Sequence, residues 1–314
     1  MTKDFKRVLI TGGTGFLGYN LFQHLRRVAP DLDVWVYSRR TGGDITDYAA
    51  LESAMRGKDL VINLAALTHV DWSISGNITE KQQYVDTNTK GALNVIMAAR
   101  ALNTKLIHIS TSEVYGTNQI PGTPMTEDHP LLAQAGTYAV SKAAADLLAR
   151  MAYMTEGADI VVARPFNLFG PHQSCEKLIP RFINLAVHGE PLTIYGDGEQ
   201  KRDYLWAPDA ADALWRLRHA PAGTIANIGT EHAYTINDVA ETIIRACGSK
   251  GMKVHTEGYR ARPAEVRELN GSYKHLNNVT GWQPTTLLEA GIARCVDWYT
   301  ANGYIVAPKI LNKG

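Results

Sequence analysis

An α/β fold, with a doubly wound parallel sheet followed by a smaller, loop-rich C-terminal lobe, is the architecture this 314-residue sequence predicts. Three observations carry it. From residue 7 to about 165, short apolar runs alternate with longer stretches of helical period, the pattern of repeated βαβ units. A glycine-rich turn follows the first apolar run directly. Beyond Arg164 the regularity breaks at Pro165, Pro171, Pro180, Pro191 and Pro208 and at Gly196 and Gly198. With 45% apolar and 20% charged residues the chain is an ordinary globular one with ample core material. Its 32 Lys and Arg against 31 Asp and Glu exclude a broad basic field for nucleic acid or an acidic membrane, and leave open a local basic pocket for a small anion.

The first strand is expected at 7–10 and the first helix at 15–28, joined by Thr11-Gly12-Gly13-Thr14-Gly15-Phe16-Leu17-Gly18. A dinucleotide requires such a loop: one Gly for a tight turn, one where the backbone nears the pyrophosphate, and one for helix–strand packing. Placed between strand and helix, Gly12, Gly15 and Gly18 predict a Rossmann-type cofactor site. Their Gly-x-x-Gly-x-x-Gly spacing resembles that of the short-chain dehydrogenase/reductase superfamily. The second strand, 34–37, ends at Ser38-Arg39-Arg40, where an NAD site carries an acidic residue for the ribose. A hydroxyl and two guanidinium groups suit a 2′-phosphate, so NADP is favoured, with NAD the alternative. Asp44 and Ile45 follow, where the superfamily places an acidic–apolar pair against the adenine.

A helix at 47–56, a strand at 60–64 and a helix at 84–102 lead to a strand at 105–110 and then Thr111-Ser112-Glu113-Val114-Tyr115-Gly116. Ligands of open α/β sheets bind at the carboxyl ends of the strands, so Thr111 is placed to bond a reacting hydroxyl and Glu113 to move protons. Backbone capping and a loop salt bridge are the competing uses. In the helix at 138–155, Tyr138 is the one tyrosine of fourteen with Lys four residues on, Lys142. The two share a helix face, and an ammonium beside a positive nicotinamide ring would lower the phenol pKa and make Tyr138 a proton acceptor. Val140, Ala143, Ala144, Leu147, Leu148, Met151, Ala152 and Met154 leave that helix little polar face, so burial on two sides is expected, one of them against a second subunit. A strand at 160–164 and a final helix at 285–301 complete the pattern. Cys175, Cys247 and Cys295 stand singly, with no metal-ligand or disulfide spacing, and no apolar run is long enough for a signal peptide or membrane span. A cytoplasmic protein without a metal site is expected.

Further segments extend the pattern: Asn63-Leu64-Ala65-Ala66, His69-Val70-Asp71-Trp72-Ser73-Ile74, Asn88-Thr89-Lys90-Gly91, Arg164-Pro165-Phe166-Asn167-Leu168-Phe169-Gly170-Pro171, Glu176-Lys177-Leu178-Ile179-Pro180, Tyr195-Gly196-Asp197-Gly198 and Arg262-Pro263. With the glycine loop and the Tyr/Lys pair they resemble, over nearly the whole chain, the nucleotide-sugar epimerase/dehydratase family of extended short-chain dehydrogenases. The resemblance implies that Phe16, Leu17, Leu64, Ala65, Ala66, Asn88 and Pro165 join the cofactor site. It implies that Asn167, Lys177, Leu178, Arg181, Arg202 and Arg262 line a nucleotide diphosphate pocket, with Thr193 and Tyr195 passing the base. It implies a homodimer through a four-helix contact. The expected division is 1–165, with segments near 204–230 returning to it, for the cofactor, and 166–203 with 231–314 for the nucleotide sugar.

The family's shared first step oxidises the hexose, usually at C4, which acidifies the C5 proton. A carboxylate at Glu113 is useful for the elimination that follows in a 4,6-dehydratase, so that reaction leads. Uronic acid decarboxylation and 4-epimerisation are the alternatives, then 4-ketosugar reduction with NADPH. Ser112 stands where many of the family's dehydratases have Asp, so Glu113 has to serve both proton transfers or the reaction differs. A catalytically silent, cofactor-sensing scaffold would lack the Tyr/Lys pair; here Thr111, Tyr138 and Lys142 are all present.

Overall fold

The computed structural model describes residues 5–249, 252–256 and 266–306. In chain order the first half holds β1 (Arg7–Thr11), α1 (Phe16–Val28), β2 (Asp33–Tyr37), α2 (Tyr48–Met55), β3 (Leu60–Asn63), α3 (Val70–Ser75), α4 (Ile78–Tyr84), a π-helical segment (Val85–Gly91), α5 (Ala92–Ala101), β4 (Lys105–Ile109), α6 (Gly136–Glu156) and β5 (Ile160–Pro165). The second half holds β6 (Asn167–Phe169), α7 (Leu178–Val187), β7 (Leu192–Tyr195), β8 (Lys201–Trp206), α8 (Ala207–Arg216), β9 (Ile225–Ile228), β10 (Ala233–Thr235), α9 (Ile236–Ala246), β11 (Lys253–Thr256), β12 (Glu268–Leu269), α10 (Lys274–Thr280) and α11 (Leu288–Ala301).

Six strands form one parallel sheet in the order β2-β1-β3-β4-β5-β9. Apolar side chains leave both of its faces. Val8, Ile10, Ile62, Ile107, Ile109, Val161 and Ala163 join a core with Leu21 and Leu25 of α1 and Leu214 of α8. Their neighbours in the strands, Leu9, Val61, Leu106, Ile160 and Val162, join the opposite core with Leu51, Val95, Ile96, Ala149 and Ala152. Strands buried on both faces read as unbroken apolar runs, which is why the sequence marks them. Successive crossovers leave β1 in opposite directions to β2 and β3, which opens a crevice at the carboxyl ends of β1 and β3.

The expected single helix at 84–102 is instead α4, the π segment and α5. The extra residue of the π turn keeps Asn88 inward, where its side chain bonds the backbone of Leu67 at 2.8 and 3.0 Å and Ser141 Oγ at 3.1 Å. The final helix starts at Leu288, because Asp209 of α8 accepts from the backbone N–H groups of Thr285 and Thr286, both at 2.8 Å, and holds them extended. The C-terminal part is more regular than its prolines suggest. Pro180 and Pro208 lie in the first turns of α7 and α8, where a missing N–H is harmless. These helices, with α9 and α11, enclose a third core around Phe169, Phe182, Ile194, Trp206, Val239, Ile292 and Tyr299. Among the described residues no helix is long and apolar enough to cross a membrane.

Candidate active site

The loop after β1 turns on Gly12, whose φ of +66° is left-handed and whose N–H donates to the Tyr37 carbonyl at 2.8 Å. A Cβ at Gly12 would stand 2.7 Å from the Ala65 nitrogen, and one at Gly18 would stand 2.5 Å from the Gly13 Cα. Only glycine permits both the turn and the approach of α1 to the strand. The N-terminus of α1 therefore opens into a cavity of about 600 Å³, within the size range of cofactor sites.

Every residue expected at the cofactor lines that cavity except one. Gly12, Gly15, Phe16, Leu17 and Gly18 form one wall; Ser38, Arg39, Arg40, Asp44 and Ile45 form the far end; Leu64, Ala65, Ala66, Tyr138, Lys142 and Pro165 complete it. Asn88 is the exception. It lies buried behind the wall, holding Leu67 and Ser141. Ser38 is fixed by Thr14, whose Oγ1 donates to its Oγ at 3.1 Å, and the following turn leaves both guanidinium groups exposed. Asp44 Oδ1 accepts from the Thr46 N–H and hydroxyl, both at 2.9 Å, which rigidifies its own loop.

Thr111, Ser112, Glu113, Tyr138 and Lys142 meet at the inner end of this cavity. Thr111 caps the short turn that follows it, accepting from the Glu113 N–H at 3.3 Å, and its side chain hydrogen-bonds Tyr138. Burial pushes the Tyr138 phenol up to about 12, against the lowering effect of Thr111 and with help from the Glu113 carboxylate. The lowering expected from Lys142 is not seen: the groups that move the phenol are Thr111, Glu113 and Tyr84, beside burial. The Lys142 ammonium is engaged elsewhere: it donates to the Ile109 carbonyl, and burial pulls it down to about 8, opposed by Asp146. Ser112 is buried in the turn between Thr111 and Glu113.

A second cavity, about 280 Å³, adjoins the first. Asn167, Lys177, Leu178, Arg181, Thr193, Tyr195 and Arg202, the expected substrate residues, all line it; Arg262 lies outside the described residues. Glu113, Asn167 and Lys177 line both cavities, so the expected proton-transfer group faces the junction. His69, Glu176 and Gln173 are among the lining residues for which the sequence suggests no role. His69 Nε2 pairs with Glu176 Oε2 at 3.4 Å, and Gln173 reaches both cavities. Both His69 and Glu176 belong to segments that carry the family resemblance, yet nothing in their spacing shows that the loop after β3 meets the segment before α7. Burial and the nearby Lys177 lower the His69 pKa.

Residues 8–229 match the NAD dependent epimerase/dehydratase family. The chain belongs to that family. It is 33% identical to the low-salt glycan biosynthesis protein Agl12 of Haloferax volcanii, over 93% of this chain and 98% of that protein. It is 32% identical to a dTDP-glucose 4,6-dehydratase of Streptomyces niveus, over 94% of this chain and 93% of the relative. Among solved structures, the dTDP-glucose 4,6-dehydratase DesIV of Streptomyces venezuelae, with NAD bound, superposes with a TM-score of 0.85 at 29% identity, covering 94% of this chain and 97% of that one. The α/β fold with its parallel sheet and the nucleotide-sugar epimerase/dehydratase membership read from sequence both stand.

Proposed function

We propose that the protein is a nucleoside-diphosphate-hexose 4,6-dehydratase. The observation that carries this reading is Glu113, a carboxylate at the junction of the two cavities, beside the Thr111–Tyr138 hydroxyl pair. The dTDP-glucose 4,6-dehydratases among its relatives support the substrate class.

A bound nicotinamide dinucleotide supplies the acceptor for hydride from C4 and its later return to C6, and the glycine cradle and cavity fit such a group. Tyr138 takes the proton of the 4-hydroxyl, and Thr111 holds that oxygen in line. Lys142 steadies the phenolate by its charge. With C4 a ketone, Glu113 removes the C5 proton and delivers it to the departing 6-hydroxyl, so that water leaves; when hydride comes back to C6, C5 takes up one proton, which balances the one Tyr138 took from the 4-hydroxyl. Ser112 is neutral, and both transfers fall to Glu113. Lys177, Arg181 and Arg202, with Arg262, hold the diphosphate by charge-assisted bonds, Asn167 and the backbone at Leu178 fix its pose, and Thr193 and Tyr195 flank the base. Residues 1–165, with 204–230, serve the cofactor, and the rest serve the sugar nucleotide.

Ser38, Arg39 and Arg40 favour NADP as the cofactor, with NAD, the cofactor in the DesIV structure, as the alternative. Val140, Leu147 and Met154 are 56%, 51% and 75% exposed along one stripe of α6, which supports a homodimer through that helix. A single subunit mass by light scattering at micromolar concentration overturns the dimer. We read the protein as cytoplasmic.

The test is incubation with a panel of nucleoside-diphosphate hexoses and uronic acids without added reductant, followed by mass spectrometry. Loss of water supports the dehydratase. Ser112 in place of an acid favours, as a second reading, the decarboxylase, which would show loss of carbon dioxide from a uronic acid; an isomer of unchanged mass would mark an epimerase, and conversion only of a ketosugar with added NADPH a reductase.

A further inference from the structure

Beneath the catalytic side chains lies a set of buried charges that the reaction above does not use. Asp146 stands one helical turn after Lys142 on α6, and both are buried. Its carboxylate accepts from Arg164 Nη2 at 2.8 Å and Nε at 2.9 Å, with both side chains wholly removed from solvent. Arg164 Nη1 donates to the Tyr115 hydroxyl at 2.8 Å and to the Glu127 carbonyl at 3.2 Å. Tyr115 in turn donates to Asn227 Oδ1 at 2.6 Å, and the Asn227 N–H donates to Glu127 Oε1 at 2.7 Å. The carboxylate of α6 is thereby tied to β5, β9 and the segment before α6.

Burying an ion pair does not in itself stabilise a protein, because desolvation offsets the attraction. Here one carboxylate serves two cations. The groups around Lys142 leave it no other source of attraction of comparable strength. From β4, His108 faces it as a neutral ring, held down to about 3 by burial and by Lys142 itself. From β5, Arg164 is a cation engaged by Asp146 and Tyr115. From the turn after β4, Glu113 faces Tyr138, which shares the helix with Lys142. The Ile109 carbonyl accepts from the ammonium without carrying a charge.

We propose that Asp146 is a positioning residue: its carboxylate, locked by Arg164, keeps Lys142 an ammonium and fixes it below Tyr138. The role rests on the assignment of Tyr138 and Lys142 to proton transfer, so its test reads Lys142 directly and without turnover. Protein labelled with 13Cε-lysine is titrated by NMR as the wild type and as the double substitution Asp146→Leu with Arg164→Met, the Lys142 signal being assigned by its loss in Lys142→Met. Replacing Arg164 together with Asp146 avoids stranding the guanidinium and leaves Lys142 as the cation whose titration is read. In the double variant Lys142 is expected to release its proton about one pH unit or more lower, a tenfold or greater loss of proton affinity. The alkaline limb of kcat should move with it while KM stays near its wild-type value. A folded double variant with an unmoved Lys142 titration overturns the proposal, whatever its activity. Should the double variant not fold, Asp146→Asn, which keeps an acceptor for Arg164, must show the same downward shift, and an unmoved signal there overturns the proposal equally. A shifted titration in a protein that transforms no nucleotide sugar would leave Asp146 in place and overturn the dehydratase reading instead.

Discussion

Around Tyr138 and Lys142 the polar groups are buried and bonded to one another, whereas Arg39 and Arg40 are exposed and Arg181 and Arg202 half-buried on short elements at the rims. The first set is carried by the carboxyl ends of β4 and β5 and by one long helix, so the sheet decides where each atom stands. The second set rests on a three-residue turn, a ten-residue helix and the central strand of a small sheet. Buried, paired groups change their protonation with their surroundings and tolerate little substitution; partly exposed cations are screened and worth less each. On the proposed reading, the frame sets the reaction and the rim sets which molecule undergoes it.

The sharpest attempt to break that contrast is Tyr138→Phe, which should lower kcat by about a thousandfold while cofactor binding persists. Near-normal turnover would remove the proton-transfer role. Glu113→Gln should cut water loss about a hundredfold yet still let the cofactor be reduced by substrate, seen as absorbance near that of the reduced nicotinamide. Continued elimination would show that another group takes the C5 proton.

Lys142→Met separates function from stability. Lys142 has a folded-state pKa of about 8 against an ordinary 10.5, so the wild type carries the penalty of a buried charge in full below about pH 8 and sheds it as the pH rises toward 10.5. The variant should gain up to about 3 kcal/mol at pH 7 in urea unfolding, a gain that shrinks above pH 8, while losing turnover. An equal gain at every pH would mean that packing, not charge, is responsible. The smallest effect belongs to the rim: Arg39→Ala should weaken NADP by about tenfold and NAD by less, the difference fading at high salt. Equal weakening would place the guanidinium away from the 2′-phosphate.

The sheet was legible because strands covered on both faces must be apolar throughout, and Gly12 and Gly18 because their backbone positions admit nothing larger. The Tyr138–Lys142 pair followed from helical spacing. What escaped has physical reasons. Strands of three or four residues such as β6, β7 and β10 are too short to show a period, and prolines at helix starts look like breaks. Spacing along one helix cannot show how deeply it is buried, so the phenol pKa was expected to fall where burial raises it. His108 and Arg164 stood in plain view within apolar runs, Lys-Leu-Ile-His-Ile and Ile-Val-Val-Ala-Arg-Pro, but their shared partner one turn past Lys142 needed the fold to find it.

The π segment at Val85–Gly91 amounts to one residue inserted into an otherwise continuous helix. Deleting any single residue there would allow an ordinary helix, yet it would turn everything on one side by about 100° relative to the other. Asn88 would leave Leu67, and the wall of the cofactor cavity would lose its backing. This stretch should therefore be as intolerant of length change as it is plain in composition, and in a library of single-residue deletions it should behave like the glycine loop after β1 and unlike the surface turns around it.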